Sequence, residues 1–271
     1  MVYKVDDLFE STKRESIMGN SPKFSIITPT LNSEKTLQRT MSSVASQTYN
    51  NFEYIIVDGG SDDNTLNIIN KNLNIVTNWV SEKDEGIYDA MNKGIKMSQG
   101  DFIGIINSDD WYEEDALDNI NEILKGETEK NILIHGCIKV FDRDGSFLKK
   151  SCSSERKPIH GVPFRHPSMF VSKHLYSKIG LYDKYIKYSA DYEFMLRAIQ
   201  SDCKIICTND CIANMQKIGK TSGSGSGPIW SERREVLARY FGSKVKGYLF
   251  VEYRKIAHFL SGVKNSILRL L

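Results

Sequence analysis

Short apolar runs alternate with amphipathic segments in the first half of the chain, and this alternation constrains the fold more than any other feature. The runs FSIIT, FEYIIVD, NIVTNWV and FIGII are largely apolar, whereas strands with one wet face alternate apolar and polar residues. Continuous apolar strands are typical of a parallel sheet that is covered by helices on both faces. The pattern therefore predicts an α/β fold with strands at 24–28, 52–58, 74–80 and 102–106.

Capping and turn residues place the ends of several elements. Pro29 is expected to end the first strand, and Ser33 is a favoured residue for the start of the next helix. In the second half, the turn signal DRDG joins two predicted strands, and a short helix is expected to end at Gly180. A further helix is predicted in DYEFMLRAIQ, residues 191–200.

Composition limits the class of protein. The 271 residues suffice for one large domain, or for one domain with an appendage. A hydrophobic content of 40% is typical of a soluble globular protein, and a formal net charge of +2 does not favour a nucleic-acid partner. The N-terminal segment is polar, and no apolar run approaches the ~20 residues that span a bilayer. We therefore expect neither a cleaved leader nor a membrane-spanning helix.

The five cysteines include no CxxC pair, and a reducing cytosol is the simplest compartment for such a chain. Cys203, Cys207 and Cys211 are spaced four residues apart, which leaves a zinc site open. The alternative is a short apolar strand, CKIIC, with small buried thiols. We favour the strand, because the paired-ligand spacing of zinc sites is missing.

Two adjacent carboxylates, Asp109 and Asp110, follow the fourth predicted strand. They repel each other unless a cation joins them, and Mg²⁺ and Mn²⁺ prefer oxygen ligands. One of them could instead cap the next helix, but a cap explains neither both acids nor Asn107 before them. Asp58 and the segment TPTLN also follow strands, and ligands of such sheets bind beyond the carboxyl ends of the strands. The sequence therefore predicts one crevice at that edge.

The segments TPTLN, SQTY, VDGGS and NKGI, followed by the Asp pair, resemble the family 2 glycosyltransferases over roughly residues 22–200. The resemblance implies the A-type glycosyltransferase (GT-A) fold, a Rossmann-like α/β three-layer sandwich with a mostly parallel central sheet, here with a helical C-terminal tail. It implies an inverting enzyme that transfers a sugar from a nucleotide-diphosphate sugar, with uracil as the expected base. The implied acceptor is a hydroxyl of a glycan or lipid-linked molecule in bacterial surface polysaccharide synthesis, and the implied cofactor is Mn²⁺ or Mg²⁺.

The resemblance also assigns roles to individual residues. Asp110 matches the metal ligand of the family, and Asp109 matches a residue near the ribose and diphosphate. Many members have a second acid after the second strand, where this chain has Gly59, so base recognition is left to Asp58, to the backbone or to an unidentified residue. The residues expected to contact the nucleotide-sugar are Thr28, Pro29, Thr30, Asn32, Asp58, Asp84, Asn92, Asp109 and His166.

Transfer of a sugar to a hydroxyl requires a base that removes the hydroxyl proton. The segment DYEFMLR matches the family segment that holds this base, and Asp191 occupies its place, although by residue type alone Asp191 favours a helix cap. His166, in FRHPSMF, is expected near the diphosphate or the acceptor, and Arg165 is open between phosphate binding and plain surface charge. Second-rank candidates are Tyr192, Glu193 and Arg197.

The predicted organisation has three parts. A flexible lead-in covers 1–21, a catalytic domain covers 22–220, and a Gly/Ser loop with a basic helical tail covers 221–271. Within the catalytic domain, 22–112 form the nucleotide-sugar half and 113–220 the acceptor half. The loop is either a plain linker or a lid over the donor.

Residues 243–271 predict a basic amphipathic helix, and we expect it to contact an anionic membrane surface. Packing on the catalytic domain and pairing with another chain are the alternatives, so homo-oligomerisation stays open. The expected location is the cytoplasm, peripherally on the inner face of the membrane.

Two other functions stay open from the sequence. A sugar nucleotidyltransferase usually has a Gly-rich basic loop after the first strand, which TPTLNSEKT lacks. A non-catalytic nucleotide-sugar-binding or scaffolding protein would fit if Asp191 were only a cap. A redox dinucleotide fold is disfavoured, because no GxGxxG follows the first strand.

Overall fold

A computed structural model describes residues 21–152, 164–217, 227–243, 245, 247, 249 and 251–253. Almost all of the predicted lead-in, most of the Gly/Ser loop and most of the basic tail therefore lie outside the described residues.

The described residues form strands and helices in alternation, as predicted. The strands are β1 (Phe24–Thr30), β2 (Phe52–Asp58), β3 (Asn78–Ser81), β4 (Phe102–Ile105), β5 (Trp111–Tyr112), β6 (Ile132–Phe141), β7 (Phe147–Ser151), β8 (Met169–Ser172) and β9 (Lys204–Gln216). The helices are α1 (Leu37–Ala45), α2 (Thr65–Lys71), α3 (Ile87–Met97), α4 (Ala116–Leu124), α5 (Lys173–Ile179), α6 (Ala190–Gln200) and α7 (Gly227–Phe241). A 3-10 turn, His166–Ser168, precedes β8.

All these strands belong to one sheet, in the order β3-β2-β1-β4-β8-β6-β9-β5, with β7 paired to β6. Strands β3, β2, β1 and β4 are mutually parallel, and β6 and β9 form a second parallel pair. Strand β8 runs antiparallel between β4 and β6 and so joins the two parallel parts. Because β1 to β4 are parallel, their carboxyl ends meet at one edge, where the sequence predicts the crevice.

Two hydrophobic cores cover the two faces of the sheet. Successive residues of β1 point to opposite faces, so Ile26 belongs to one core and Ile27 to the other. Helices α1, α2 and α4 pack on the Ile26 face, and α3, α5, α6 and α7 pack on the Ile27 face. The predicted three-layer α/β sandwich is confirmed.

Two contacts fix α3 and the strands in register below the crevice. A Cβ at Gly94 would lie 2.4 Å from Ile27 Cγ2, so α3 approaches β1 as closely as only glycine permits. The buried Glu53 carboxylate accepts hydrogen bonds from Ser25 Oγ at 2.5 Å and from the backbone N–H of Gln99 at 2.5 Å. Lys23 completes the network with an ion pair at 3.0 Å, so Glu53 joins β1, β2 and the turn after α3.

Several predicted boundaries are wrong, including that of β3, which begins at Asn78 rather than at residue 74. Strand β1 continues through Pro29, because β4 pairs with β1 only as far as Ile27 and the later residues pair with β2 alone. Helix α1 begins at Leu37 rather than at Ser33, since Ser33 lies in a turn and its hydroxyl contacts Ser108 Oγ at 2.7 Å. Helix α4 begins at Ala116, and the short strand β5 before it was not predicted.

The cysteines also differ from expectation. Cys137 and Cys152 form a disulfide across β6 and β7, although reduced thiols were expected. Cys203, Cys207 and Cys211 form no disulfide. Cys203 precedes β9, and Cys207 and Cys211 belong to it, as the strand interpretation predicts. The thiols are not buried as expected, because Cys207 is exposed and the other two are half-buried. In the part of the chain that the structure describes, no helix combines the length and apolarity needed to cross a bilayer.

Candidate active site

Two adjoining cavities lie at the carboxyl edge of the parallel strands. The larger, here the strand-end cavity, has a volume of about 550 Å³ and is lined by the segments that follow β1 to β4. The smaller, here the α6 cavity, has a volume of about 310 Å³ and is bounded by residues of α3, α6 and α7 and by the end of β9. Ile87, Asn107 and Asp109 line both cavities and form the wall between them.

The segment after β1 forms one side of the strand-end cavity. Pro29, Thr30 and Asn32 line it, as the sequence predicts for a nucleotide-binding segment. Asn32 adopts a positive φ of 50°, and its side-chain oxygen accepts from the Asp62 N–H at 3.0 Å, which ties this segment to the loop after β2. The Thr30 hydroxyl is buried and has no hydrogen-bond partner among the described residues.

Asp58 does not line either cavity. Its carboxylate accepts from the N–H groups of Gly60 and Ser61 at 3.1 and 3.0 Å, and from the hydroxyls of Ser61 and Ser81 at 2.5 and 2.6 Å. Four donors use the bonding capacity of one carboxylate, so Asp58 shapes the turn after β2.

Asp84 fills the position that the glycine after Asp58 leaves open. A Cβ at Gly59 would lie 2.4 Å from Asp84 Oδ2, so no other residue fits at 59 while Asp84 keeps this place. The other oxygen, Oδ1, accepts from the Gly86 N–H at 2.9 Å, and Asp84 lines the strand-end cavity. Burial raises the pKa of Asp84, and the Gly86 N–H opposes that shift. A carboxylate is therefore presented beside the end of β2, but from the segment after β3.

Of the acidic pair, Asp109 belongs to the wall between the cavities and Asp110 lines the α6 cavity. Asp110 is 2% exposed, and burial followed by the charge of Asp109 raises its pKa well above the ordinary value. Its Oδ1 accepts from the Gln216 N–H at 3.3 Å, and its carbonyl accepts from Thr40 Oγ1 at 2.6 Å. The Arg39 guanidinium, 3.8 Å from the centre of the Trp111 ring, donates to the Asp109 carbonyl at 2.9 Å. Helix α1 and strand β9 thus hold the pair in place.

The donor set around the pair suits a hard divalent cation. Asn107 Oδ1 is buried without a hydrogen-bond partner in the described residues, while its Nδ2 donates to Asp110 Oδ2 at 3.4 Å. An unpaired oxygen beside two carboxylates is the chemistry that Mg²⁺ and Mn²⁺ prefer, and Mg²⁺ in particular takes few protein ligands and leaves room for phosphate oxygens. No group of three or more His, Cys, Asp or Glu residues is placed to bind a metal within the described ranges.

Asp191 lies in the α6 cavity together with His166, Asp109 and Asp110. Ser189 rather than Asp191 is the N-cap of α6, and Asp191 Oδ1 instead accepts from the Tyr88 hydroxyl at 3.0 Å. Burial and then the Asp191 charge raise the pKa of Tyr88 well above its ordinary value, so Tyr88 stays protonated and donates. The cap interpretation of Asp191 therefore does not describe its contacts.

His166 lies beside Asp191 on an aromatic cluster. Its Nε2 is 3.2 Å from the Tyr182 hydroxyl, and the Tyr182 ring packs on Phe194 at 4.9 Å. Burial lowers the pKa of His166, and the nearby Asp191 charge opposes the shift. Buried neutral imidazole at this place can accept or donate one proton, depending on its tautomer.

Several predicted residues support the site from outside the cavities. Thr28 is buried and its hydroxyl is 3.0 Å from the Tyr54 hydroxyl. The Asn92 amide donates to the Tyr182 carbonyl at 2.8 Å and accepts from the Tyr182 N–H at 3.0 Å, so it fixes the backbone under His166. Among the second-rank candidates, Glu193 pairs with Arg197 at 2.8 Å, and Arg197 binds backbone carbonyls before α6.

Sequence reasoning missed Tyr88, Tyr182 and Arg39. Each acts through a partner that is distant in the chain, as when Tyr88 reaches Asp191 over 103 positions. The available signal for Tyr88 was its place in the segment GIYDAMNKGIKM, where it lies outside the apolar stripe of the predicted helix.

The layered sheet has the arrangement of the GT-A fold, and both cavities lie at the carboxyl edge of its parallel strands. Residues 25–177 match the family model Glycosyl transferase family 2, and the chain belongs to this family. The protein is thus a glycosyltransferase, as its sequence motifs implied.

Named relatives agree with this assignment. The chain is 33% identical to a PGL/p-HBAD biosynthesis glycosyltransferase of Mycobacterium bovis over 185 residues, which cover 67% of this chain and 71% of the relative. It is also 33% identical to an uncharacterized glycosyltransferase of Mycobacterium tuberculosis, over 67% of this chain and 70% of that protein.

Solved structures with low sequence identity share the fold. S. aureus TarS 1-349 in complex with UDP-GlcNAc superposes with a TM-score of 0.65 at 20% identity, over 84% of this chain and 70% of TarS 1-349. A mannosyltransferase of Pyrobaculum calidifontis, in complex with GDP-Man and Mn²⁺, gives a TM-score of 0.59 at 16% identity, over 83% of this chain and 65% of that one. The chain spans 39% of another, longer TarS chain.

Proposed function

We propose that the protein is an inverting glycosyltransferase that moves a sugar from a nucleotide-diphosphate sugar to an acceptor hydroxyl. The observation that carries this proposal is that Asp191 lines the α6 cavity together with the acidic pair, whose Asp109 also lines the strand-end cavity. A sugar that bridges the wall between the cavities would have its leaving group on one side and a carboxylate on the other.

The strand-end cavity binds the nucleotide, with UDP as the proposed carrier. Thr30 offers its free hydroxyl, and Asp84 offers a carboxylate oxygen in the space above Gly59. A carboxylate accepts a hydrogen bond from the N3–H of uracil, and so it can take the role of the missing acid at position 59. The UDP-GlcNAc complex of TarS, a structure with the same fold, is compatible with this choice.

The diphosphate lies at the wall, beside Asp109, Asp110 and Asn107. These residues would hold Mn²⁺ or Mg²⁺, which when bound neutralises charge on the leaving diphosphate. Arg39 and Gln216 keep the pair in position through its backbone and side-chain oxygens.

Asp191 acts as the general base in this proposal. Tyr88 donates to one carboxylate oxygen and orients the group, which leaves the second oxygen for the acceptor hydroxyl. The acceptor oxygen attacks the anomeric carbon as the bond to the diphosphate breaks, and the hydroxyl proton passes to Asp191. In-line attack inverts the configuration, so an α-linked donor gives a β-linked product.

The acceptor is proposed to be a glycan or a lipid-linked molecule of a bacterial surface polysaccharide. The M. bovis relative is named a PGL/p-HBAD biosynthesis glycosyltransferase, and a biosynthetic acceptor is compatible with this proposal. Contact of the basic segment 243–271 with an anionic membrane surface, and a peripheral cytoplasmic location, belong to the same proposal.

Asp191→Asn tests the proposal, with Asp202→Asn as a matched control, since Asp202 is exposed in the turn after α6. We expect Asp191→Asn to lower kcat by about 10²- to 10⁴-fold with donor affinity nearly unchanged, and Asp202→Asn to behave as the wild type. Nucleotide-sugars are first screened by metal-dependent thermal stabilisation, and the product configuration is then read by NMR. Full activity of Asp191→Asn, or a product with retained configuration, would refute the mechanism.

A further inference from the structure

Two arginines line the α6 cavity without a carboxylate partner. Arg165 precedes the 3-10 turn at His166, and Arg233 projects from α7. In each guanidinium the Nε is buried and has no hydrogen-bond partner among the described residues, which is also true of Arg234, so the ion pairs rather than the Nε contacts distinguish these arginines. Within the same ranges, neither forms an ion pair within 4.0 Å, although three acids line the cavity.

Other arginines near this region have such partners. Arg197 pairs with Glu193, Arg234 with Glu252 and Arg239 with Asp183. Partly buried cations without a counter-charge cost stability, and proteins retain them mainly where a ligand supplies the charge. The contrast between Arg233 and its neighbour Arg234 on α7 therefore indicates that Arg233 is reserved for a ligand.

Protein contacts fix the backbone of Arg165 and the guanidinium of Arg233. The Arg165 carbonyl accepts from the N–H and the hydroxyl of Ser168, both at 2.8 Å, which fixes the backbone. The Arg233 guanidinium lies 5.7 Å from the ring centres of both Tyr192 and Trp230. Burial lowers the pKa of Arg165, and no acidic group offsets that effect, in agreement with the missing partner.

We propose that Arg165 and Arg233 form an oxyanion site in the α6 cavity that binds a phosphate group. The planar guanidinium presents several donors in a fixed fork, which matches phosphate oxygens. The phosphate comes either from the diphosphate of the donor or from an acceptor that carries a phosphate. The site itself is defined by the arginines, and only the source of its phosphate rests on the proposed function.

The test is titration calorimetry of the full chain, with inorganic phosphate, UDP and uridine as probes. Arg165→Gln and Arg233→Gln are compared with Arg234→Gln, which removes the same charge one residue away. We expect each of the first two variants to lower phosphate affinity by about tenfold or more, and Arg234→Gln to change it by less than about twofold. Thermal unfolding checks each variant, and Arg165→Lys, which keeps the charge but loses the fork, should show an intermediate loss.

Competition titrations distinguish the two sources of the phosphate, the donor and the acceptor. If phosphate still binds to the UDP-saturated protein in an arginine-dependent way, the site serves the acceptor. If UDP displaces phosphate, and the arginine variants weaken UDP but not uridine, the site holds the donor diphosphate. Absence of phosphate binding by the wild type, or equal affinities in all three glutamine variants, overturns the proposal. Failure of the wild type to bind UDP or uridine would count against the proposed function instead.

Discussion

The carboxylate of Asp84 gives the sharpest prediction about donor recognition. Its Oδ1 is used by the Gly86 N–H, whereas Oδ2 lies where a side chain at Gly59 would stand. If Oδ2 accepts the N3–H of uracil, Asp84→Asn removes a hydrogen bond to a charged acceptor, which contributes about 1.5–3 kcal/mol. Because Asn can still accept one neutral bond, we take the lower end, and about 1.5–2 kcal/mol corresponds to a roughly 10- to 30-fold weaker affinity for UDP.

Calorimetric titration of UDP and uridine measures this effect. Glu85→Gln is the matched control, because it removes a neighbouring acid that is exposed, pairs with Lys184 at 2.8 Å and lies outside the strand-end cavity. Both UDP and uridine should lose affinity in Asp84→Asn, since the change acts on the base and not on the diphosphate.

Moving the carboxylate from position 84 to position 59 tests the same role of Asp84 in a second way. Gly59→Asp alone should also weaken UDP, because its Cβ would lie 2.4 Å from Asp84 Oδ2 and displace it. The double variant Gly59→Asp/Asp84→Asn puts one carboxylate back beside the base and should recover part of the loss. Equal UDP affinity in Asp84→Asn and Glu85→Gln would show that Asp84 does not read the base.

Two predictions concern stability. Glu53→Gln should lower the free energy of unfolding by about 2–4 kcal/mol in urea titrations, because it breaks a buried charge network. The control Glu122→Gln removes an exposed acid and should cost less than about 0.5 kcal/mol. Equal costs for the two variants would contradict this prediction. His135 is 1% exposed, and burial lowers its pKa to about 4, so the unfolded chain takes up a proton first as the pH falls below about 6.5. Stability should therefore fall by up to about 3 kcal/mol between pH 6.5 and 4, and His135→Gln should flatten part of that slope; an unchanged slope would refute the assignment.

The layered fold could be predicted because it rests on local patterns. Strand β2 was predicted at the residues where it occurs, because a continuous apolar run indicates a strand covered on both faces. In α3 the predicted apolar stripe is buried at Met91 and Ile95, whereas Ile87 is 44% exposed where it lines the two cavities. The start of α1 was misplaced because Ser33 has the right chemistry for a cap but uses its hydroxyl for a contact with Ser108, 75 positions away. Such long-range contacts override local helix propensity and cannot be recognised in a short stretch of sequence.

Part of the cavity lining could be predicted from the sequence, but Thr28, Asp58 and Asn92 were also expected at the site and line neither cavity. Proximity of the strand ends follows from parallel pairing, so the segment at Pro29 and the acid Asp109 could be expected to meet. The sequence could not show which carboxylate faces a cavity, because Asp58 and Asp84 differ in how many hydrogen-bond donors surround them in the fold. The arginine pair was hidden for a similar reason, since Arg165 and Arg233 are 68 positions apart and only the missing partners distinguish them.

The wall formed by Ile87, Asn107 and Asp109 has a consequence for kinetic work on the enzyme. In the proposed assignment of donor and acceptor, a substitution in these shared side chains should perturb both Michaelis constants together, so that neither change can be attributed to one substrate. Thr30 borders only the first cavity and Met215 only the second, so on the same assignment exchanges at those positions should act on one substrate each. Engineering of a new acceptor preference should therefore begin at the carboxyl end of β9 and leave the wall between the cavities unchanged.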